Sequence, residues 1–187
     1  GLTIIQAFRT IGKEHLKLQL TGSQGDVMQE SMSAARTVAW NLLSEEKQQE
    51  LLAQEGFGLH LHVPDTAQPK DGPSAGGAIT ASIISQITGI PIRNDVAMTG
   101  EIDLNGAITA IGGLEYKLVG AKRAGVRHVI VPQENEREFR EACKDLPDLI
   151  DATFKVTLVD NIWELLEHVL VPNDYSFCRF SEDPEGK

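Results

Sequence analysis

Ser74 stands in the segment Pro69-Lys70-Asp71-Gly72-Pro73-Ser74-Ala75-Gly76-Gly77, where a tight turn runs into the start of a small-residue helix. Gly72 can take a positive φ. Pro73 fixes its own φ and pushes Gly72 away from the α region. A hydroxyl at a helix start lies near free backbone N–H groups and the positive end of the helix dipole, surroundings that stabilise an oxyanion formed during acyl transfer. Ala75, Gly76 and Gly77 carry almost no side chain, so a substrate backbone could approach closely. A serine between a D-G-P turn and an apolar helix is also the ordinary N-cap, and this segment alone favours that plainer role.

A serine hydroxyl becomes a good nucleophile only when a base takes its proton. One pair of candidates is His60 and His62, in the alternating run Leu59-His60-Leu61-His62-Val63, where both point to the same face of a strand. The other is Lys117 in Gly112-Gly113-Leu114-Glu115-Tyr116-Lys117-Leu118. Leu114, Leu118 and Ala121 mark the apolar stripe of that helix, and Lys117 lies on its flank, away from Tyr116 and Arg123. An amine in apolar surroundings loses basicity and becomes available in its neutral form. The same wheel places Lys122 on the opposite flank, and spacing alone does not choose between them.

Three segments recur here in a recognisable order: the Pro69 to Gly76 turn, Val96-Ala97-Met98-Thr99-Gly100-Glu101-Ile102, and Ile111-Gly112-Gly113-Leu114-Glu115-Tyr116-Lys117. Upstream stand Thr21-Gly22-Ser23-Gln24-Gly25-Asp26-Val27-Met28-Gln29-Glu30-Ser31 and His60-Leu61-His62-Val63-Pro64. With these motifs the chain resembles the proteolytic domain of ATP-dependent Lon proteases, of the P-K-D-G-P-S-A-G type, from about Leu2 to Val171. The resemblance implies a mixed-sheet α/β fold over residues 1–171, a C-terminal tail over 172–187, and a serine endopeptidase with a Ser-Lys dyad.

In that dyad Ser74 would be the nucleophile and Lys117 the general base. Thr99 matches a threonine that helps hold the amine, and Asp71, His60 and His62 match polar positions that support the site. The resemblance further implies unfolded or damaged protein substrates, a homohexamer, and an ATPase module in the same full-length chain using ATP and Mg2+. The expected location is the cytoplasm, or alternatively the mitochondrial matrix. Departures from the family pattern surround the site without removing either dyad member: Asp65-Thr66 for E-G, Thr109-Ala110 for L-P, and Glu115-Tyr116-Lys117 for K-E-K.

The elements that must carry these residues alternate. Strands are predicted over 2–8, 15–20, 57–63, 96–99, 107–110, 128–131 and 154–159. Helices are predicted over 25–43, 74–88, 113–124, 134–144 and 161–170, with 44–54 a short helix or an ordered connection. In the 25–43 helix Met28, Met32, Ala35, Val38 and Leu42 share one face, and Asn105-Gly106 is a hairpin-type turn signal. The interleaving indicates a layered α/β domain. That the first residues already read as a strand suggests a piece cut from a longer protein. In the tail, Tyr175, Phe177 and Phe180 leave open whether it packs on the domain or on a neighbouring subunit.

Composition narrows the function classes. With 187 residues, 17 basic and 27 acidic side chains and a formal charge of −10, the chain has an ordinary globular balance and no basic stripe for nucleic acid. Two cysteines, Cys143 and Cys178, suit a reducing compartment better than a disulfide-built secreted fold. No apolar run is long enough to cross a bilayer. There is no G-x-x-x-x-G-K-[ST] loop, so ATP is not expected to bind here. His60 and His62 lack the further ligands of a metal site, so no metal is expected, and no G-x-S-x-G elbow points to an α/β-hydrolase.

Overall fold

The computed structural model describes residues 2–22, 25–64, 73–171 and 175–179. Strand β1 (Gln6–Ile11), strand β2 (Leu18–Gly22) and strand β3 (Phe57–Val63) form one sheet in the order β1-β3-β2. β3 runs antiparallel to β1 and parallel to β2, so the sheet is mixed. Between β2 and β3 lie helix α1 (Asp26–Leu42) and helix α2 (Glu45–Ala53). The apolar stripe of α1 is buried as its spacing requires, at Met28, Met32, Ala35, Val38 and Leu42. Ser44 caps α2 by accepting from the Lys47 N–H at 3.2 Å, which makes 45–53 a helix rather than a loop.

After β3 comes a one-turn 3-10 segment, Pro73–Ala75, that leads into helix α3 (Gly76–Thr88). Strand β4 (Val96–Met98) is the edge of a parallel sheet β4-β7-β8, completed by β7 (His128–Pro132) and β8 (Lys155–Val159). Between β4 and β7 stand the two-stranded hairpin β5 (Glu101–Ile102) and β6 (Ile108–Thr109), then helix α4 (Leu114–Arg123). Helix α5 (Glu136–Asp145) joins β7 to β8, and helix α6 (Ile162–Val169) follows β8.

The first two strands start later than expected and one turn joins different strands, each for a local reason. The first strand begins at Gln6 rather than Leu2, because its partner β3 ends at Val63, ahead of Pro64, whose nitrogen has no proton to donate. The second begins at Leu18 rather than His15. Leu16 sits at φ +58°, a left-handed conformation that an extended strand cannot contain, and its burial in the core offsets the strain. The turn at Asn105-Gly106 joins β5 to β6 and not the 96–99 strand, which pairs with β7 instead. Asp103 fixes that turn by accepting from the Asn105 and Ala107 N–H groups, both at 2.9 Å.

The buried side chains divide into two clusters. The larger joins α1, α3 and α6 to the first sheet through residues such as Met32, Leu59, Ile83 and Leu165. The smaller contains Leu114, Leu118 and Ala121 of α4 with Val129, Val131, Ala142 and Phe154. Alternation along β7 serves both: Val129 and Val131 face the smaller core while Ile130 belongs to the larger. Part of the C-terminal segment also packs on the domain. Phe177 and Cys178 are buried, and the Phe177 carbonyl accepts from the Ser44 N–H at 2.7 Å. Cys143 and Cys178 are not joined in a disulfide with each other. Among the described residues, no helix is long and apolar enough to cross a membrane.

Candidate active site

Ser74 occupies the middle of the 3-10 turn ahead of α3, and the N-cap of that helix is Ala75, with no side-chain cap bond. The serine is therefore not spent as an N-cap. Its backbone is tied to the segment after β4: the Gly100 N–H donates to the Ser74 carbonyl at 2.8 Å, and the Gly77 N–H donates to the Gly100 carbonyl at 3.2 Å. Gly100 holds φ +149°, and a Cβ there would meet Ile108 Cγ2 at 2.5 Å, so glycine is required for this crossing. Of the small residues in the serine segment Ala75 lines the cavity beside Ser74, whereas the glycines have a different use from the one their size suggested. A Cβ on Gly76 would stand 2.9 Å from Ile102 N and 2.7 Å from Ile102 Cγ2. Gly76 thus admits β5 against α3, where the sequence had suggested room for a substrate backbone.

A cavity of about 770 Å³ brings together Ser74, Thr99 and Lys117. Thr99 is buried, and its N–H donates to the Ile130 carbonyl of β7 at 3.0 Å. Lys117 reaches the cavity from the second turn of α4, which Leu114 and Leu118 anchor with no exposure at all. Burial lowers the Lys117 pKa from its ordinary 10.5, and the nearby Glu101 carboxylate opposes that shift. The Ser74 hydroxyl and the Lys117 amine share the cavity without a hydrogen bond between them.

The structure also separates the two lysines that the helix wheel left equivalent. Lys122 donates to the Asp148 carbonyl at 2.7 Å, the Leu149 carbonyl at 2.9 Å and Asp151 Oδ2 at 2.7 Å. Its hydrogen bond to Asp151 keeps that carboxyl well below the usual carboxylate range. Lys122 is a strut between α4 and the loop before β8 and is not among the residues lining the Ser74 cavity.

His60 and His62 do lie on one face of β3, but neither is among the residues lining the Ser74 cavity. Both bond to the Thr21 hydroxyl of the neighbouring strand, through His60 Nε2 and His62 Nδ1, each at 2.7 Å. The donor and acceptor roles in these two bonds follow from the tautomer each ring adopts. Asp71 lies outside the described residues. Sequence reasoning gave no separate role to Thr21 or Glu101, although both stand inside quoted motifs; Glu101 lies two positions from Thr99, whereas Thr21 meets the histidines only through the pairing of β2 with β3. Among the described residues no group of three His, Cys, Asp or Glu side chains is placed to hold a metal ion.

The fold and the cavity define a mixed-sheet α/β domain in which a serine turn and a lysine helix are brought to one site. The family model for the Lon protease (S16) C-terminal proteolytic domain matches residues 1–172, and the chain belongs to this family. It is 40% identical to a Lon protease of Haemophilus influenzae over 187 residues, covering 99% of this chain and 22% of that protein. A Lon protease of Bacillus thuringiensis is 43% identical over 155 residues, covering 83% of this chain and 19% of that protein. A Lon protease homolog of Acanthamoeba polyphaga mimivirus is 37% identical over 188 residues, covering 98% and 18% respectively. The chain spans about a fifth of the length of these curated relatives.

Proposed function

We propose that this domain is a serine endopeptidase that cuts unfolded or damaged proteins, with Ser74 as nucleophile and Lys117 as general base. The observation that carries the proposal is the shared cavity: it holds an uncapping serine beside a lysine whose burial favours the neutral amine. Lys117 takes the Ser74 proton, and Oγ attacks the peptide carbonyl carbon. N–H groups opening α3 ahead of Gly77 hold the oxyanion, since the Gly77 N–H is already given to Gly100. The resulting ammonium protonates the leaving amine. Water, deprotonated by the same lysine, then hydrolyses the acyl-enzyme. β4 is an edge strand lining the cavity, so an extended substrate could add to it through backbone hydrogen bonds.

The wider protein would supply what this chain does not carry. No phosphate-binding loop is present, so ATP and Mg2+ act, in this proposal, through an ATPase module elsewhere in the full-length protein. That protein assembles as a homohexamer in the cytoplasm. Sedimentation of the full-length protein with ATP should give hexamers, and monomers only would contradict the assembly.

A serine-directed acylating or boronic probe should form a covalent adduct on Ser74. Ser74→Ala should abolish peptide cleavage with melting unchanged, because the side chain caps no helix. Turnover by that variant, in a preparation free of contaminating protease, would overturn the assignment. The missing Ser74–Lys117 hydrogen bond favours a second reading, in which the domain is latent until its ATPase module engages. Labelling of Ser74 only when ATP is present would select it; equal labelling without ATP would exclude it.

A further inference from the structure

Asn135 is 1% exposed and occupies the N-cap of α5, yet its side chain makes no capping bond to that helix. An asparagine at this position ordinarily satisfies one of the first N–H groups of its own helix. Here it turns away, into the loop that opens α4. The Ile111 N–H donates to Asn135 Oδ1 at 3.0 Å, and Asn135 Nδ2 donates to the Ile111 carbonyl at 2.8 Å. Nδ2 also donates to Glu138 Oε1 at 3.2 Å, which fixes the orientation of the amide. One residue earlier, Glu134 Oε2 accepts from the Ala110 N–H at 2.9 Å. The stretch between β6 and α4 is therefore held by two side chains lying 24 residues further along the chain.

These bonds connect to the site through β7. Its Ile130 carbonyl receives the Thr99 N–H, and the next residue, Gly100, is bonded to the carbonyl of Ser74. Beyond Pro132, the same strand leads into the turn Gln133–Asn135. Ile111 then passes through Gly112 and Gly113 into the helix carrying Lys117. Gly113 at φ +68° caps α4 without a side chain, so no capping side chain of its own fixes the start of the helix. The frame that locates the serine turn thus also locates the lysine helix, and Asn135 is the link that closes it.

We propose that Asn135, supported by Glu134, is a positioning residue for the Ser74–Lys117 pair: it clamps the Ile111 peptide and so sets where α4 delivers the amine. The proposal rests on the dyad assigned above. Small displacements between nucleophile and base cost rate steeply while leaving substrate binding almost untouched.

The test uses the full-length protein with a peptide substrate, and rates are counted per Ser74 reactive toward the covalent probe. Asn135→Asp keeps an acceptor for the Ile111 N–H but repels the Ile111 carbonyl. It should lower kcat about tenfold or more with KM little changed. The acid limb of the pH–rate profile should also move to higher pH, as the less enclosed amine regains basicity. Glu134→Ala, at an exposed position, should change kcat in the same direction. Unchanged kcat and an unmoved acid limb in Glu134→Ala and in folded Asn135→Asp would overturn the proposal, even with a lowered melting temperature. Lys117→Arg is the separate control. If it keeps activity, the dyad itself is wrong; if it is inactive while the clamp variants match the parent, only the clamp is wrong.

Discussion

In the proposed mechanism Lys117 acts as a base, and an ordinary lysine, with a pKa near 10.5, is almost wholly protonated at neutral pH. Burial lowers that value, so peptidase activity should rise with pH as the amine loses its proton. Lys117→Arg should be as inactive as Lys117→Ala, because a guanidinium keeps its proton throughout the usable range. Retained activity in Lys117→Arg, with the pH dependence lost in His60→Ala or His62→Ala, would transfer the role to a histidine. Glu101 opposes the shift by favouring the charged amine. Glu101→Gln should therefore move the acid limb of the profile to lower pH; a shift to higher pH would contradict the electrostatic account. Ser74 and Lys117 were candidates read from the sequence, and the structure brings both to one cavity, but the choice of Lys117 over Lys122 came from motif order and not from helical spacing. Each lysine lies on a flank of α4, and what separates them is the neighbour each flank meets: the serine turn on one side, the carbonyls of Asp148 and Leu149 on the other.

At the scale of elements, the helices and most strands were readable because their apolar spacing matches the faces they bury. The connections around the site were less so. Short strands such as β5 and β6 have too few residues for a period to emerge, and the partner of β4 depends on a parallel pairing across some thirty residues of sequence. Glycine roles were the clearest loss, since composition does not say whether a missing side chain makes room for a ligand or for the fold. Gly76→Ala is the discriminating change. Its new methyl group meets the backbone of β5, so it should destabilise the domain by about 1–3 kcal/mol and reduce kcat by displacing Ser74. Gly112→Ala adds a methyl with nothing within 4 Å and should leave stability within about 0.5 kcal/mol. Equal melting curves for the two variants would remove the close-packing argument.

For the whole molecule, pH acts on stability as well as on rate. His128 on β7 bonds Thr157 Oγ1 through Nε2 at 2.7 Å and packs edge-on against His168. Burial first, then the charges of Lys155, His168 and Arg93, push its pKa down from 6.5 to about 4, against a small opposing effect of Asp95. Between those values the unfolded chain takes up a proton that the folded one refuses. The contribution of His128 is therefore complete above pH 6.5 and is lost as pH falls towards 4. Denaturant titrations across this window should show a slope that His128→Gln reduces; an identical slope in the variant would refute it. The division of the interior into two cores, with Ser74 riding on one and Lys117 on the other, carries a different consequence. Both cores meet on β7, so a small displacement of α4 against that strand would uncouple the pair while leaving the larger core intact. Thermal denaturation would not register such an event, so in this molecule a fully folded population and a fully competent one are separate quantities that have to be counted by separate assays.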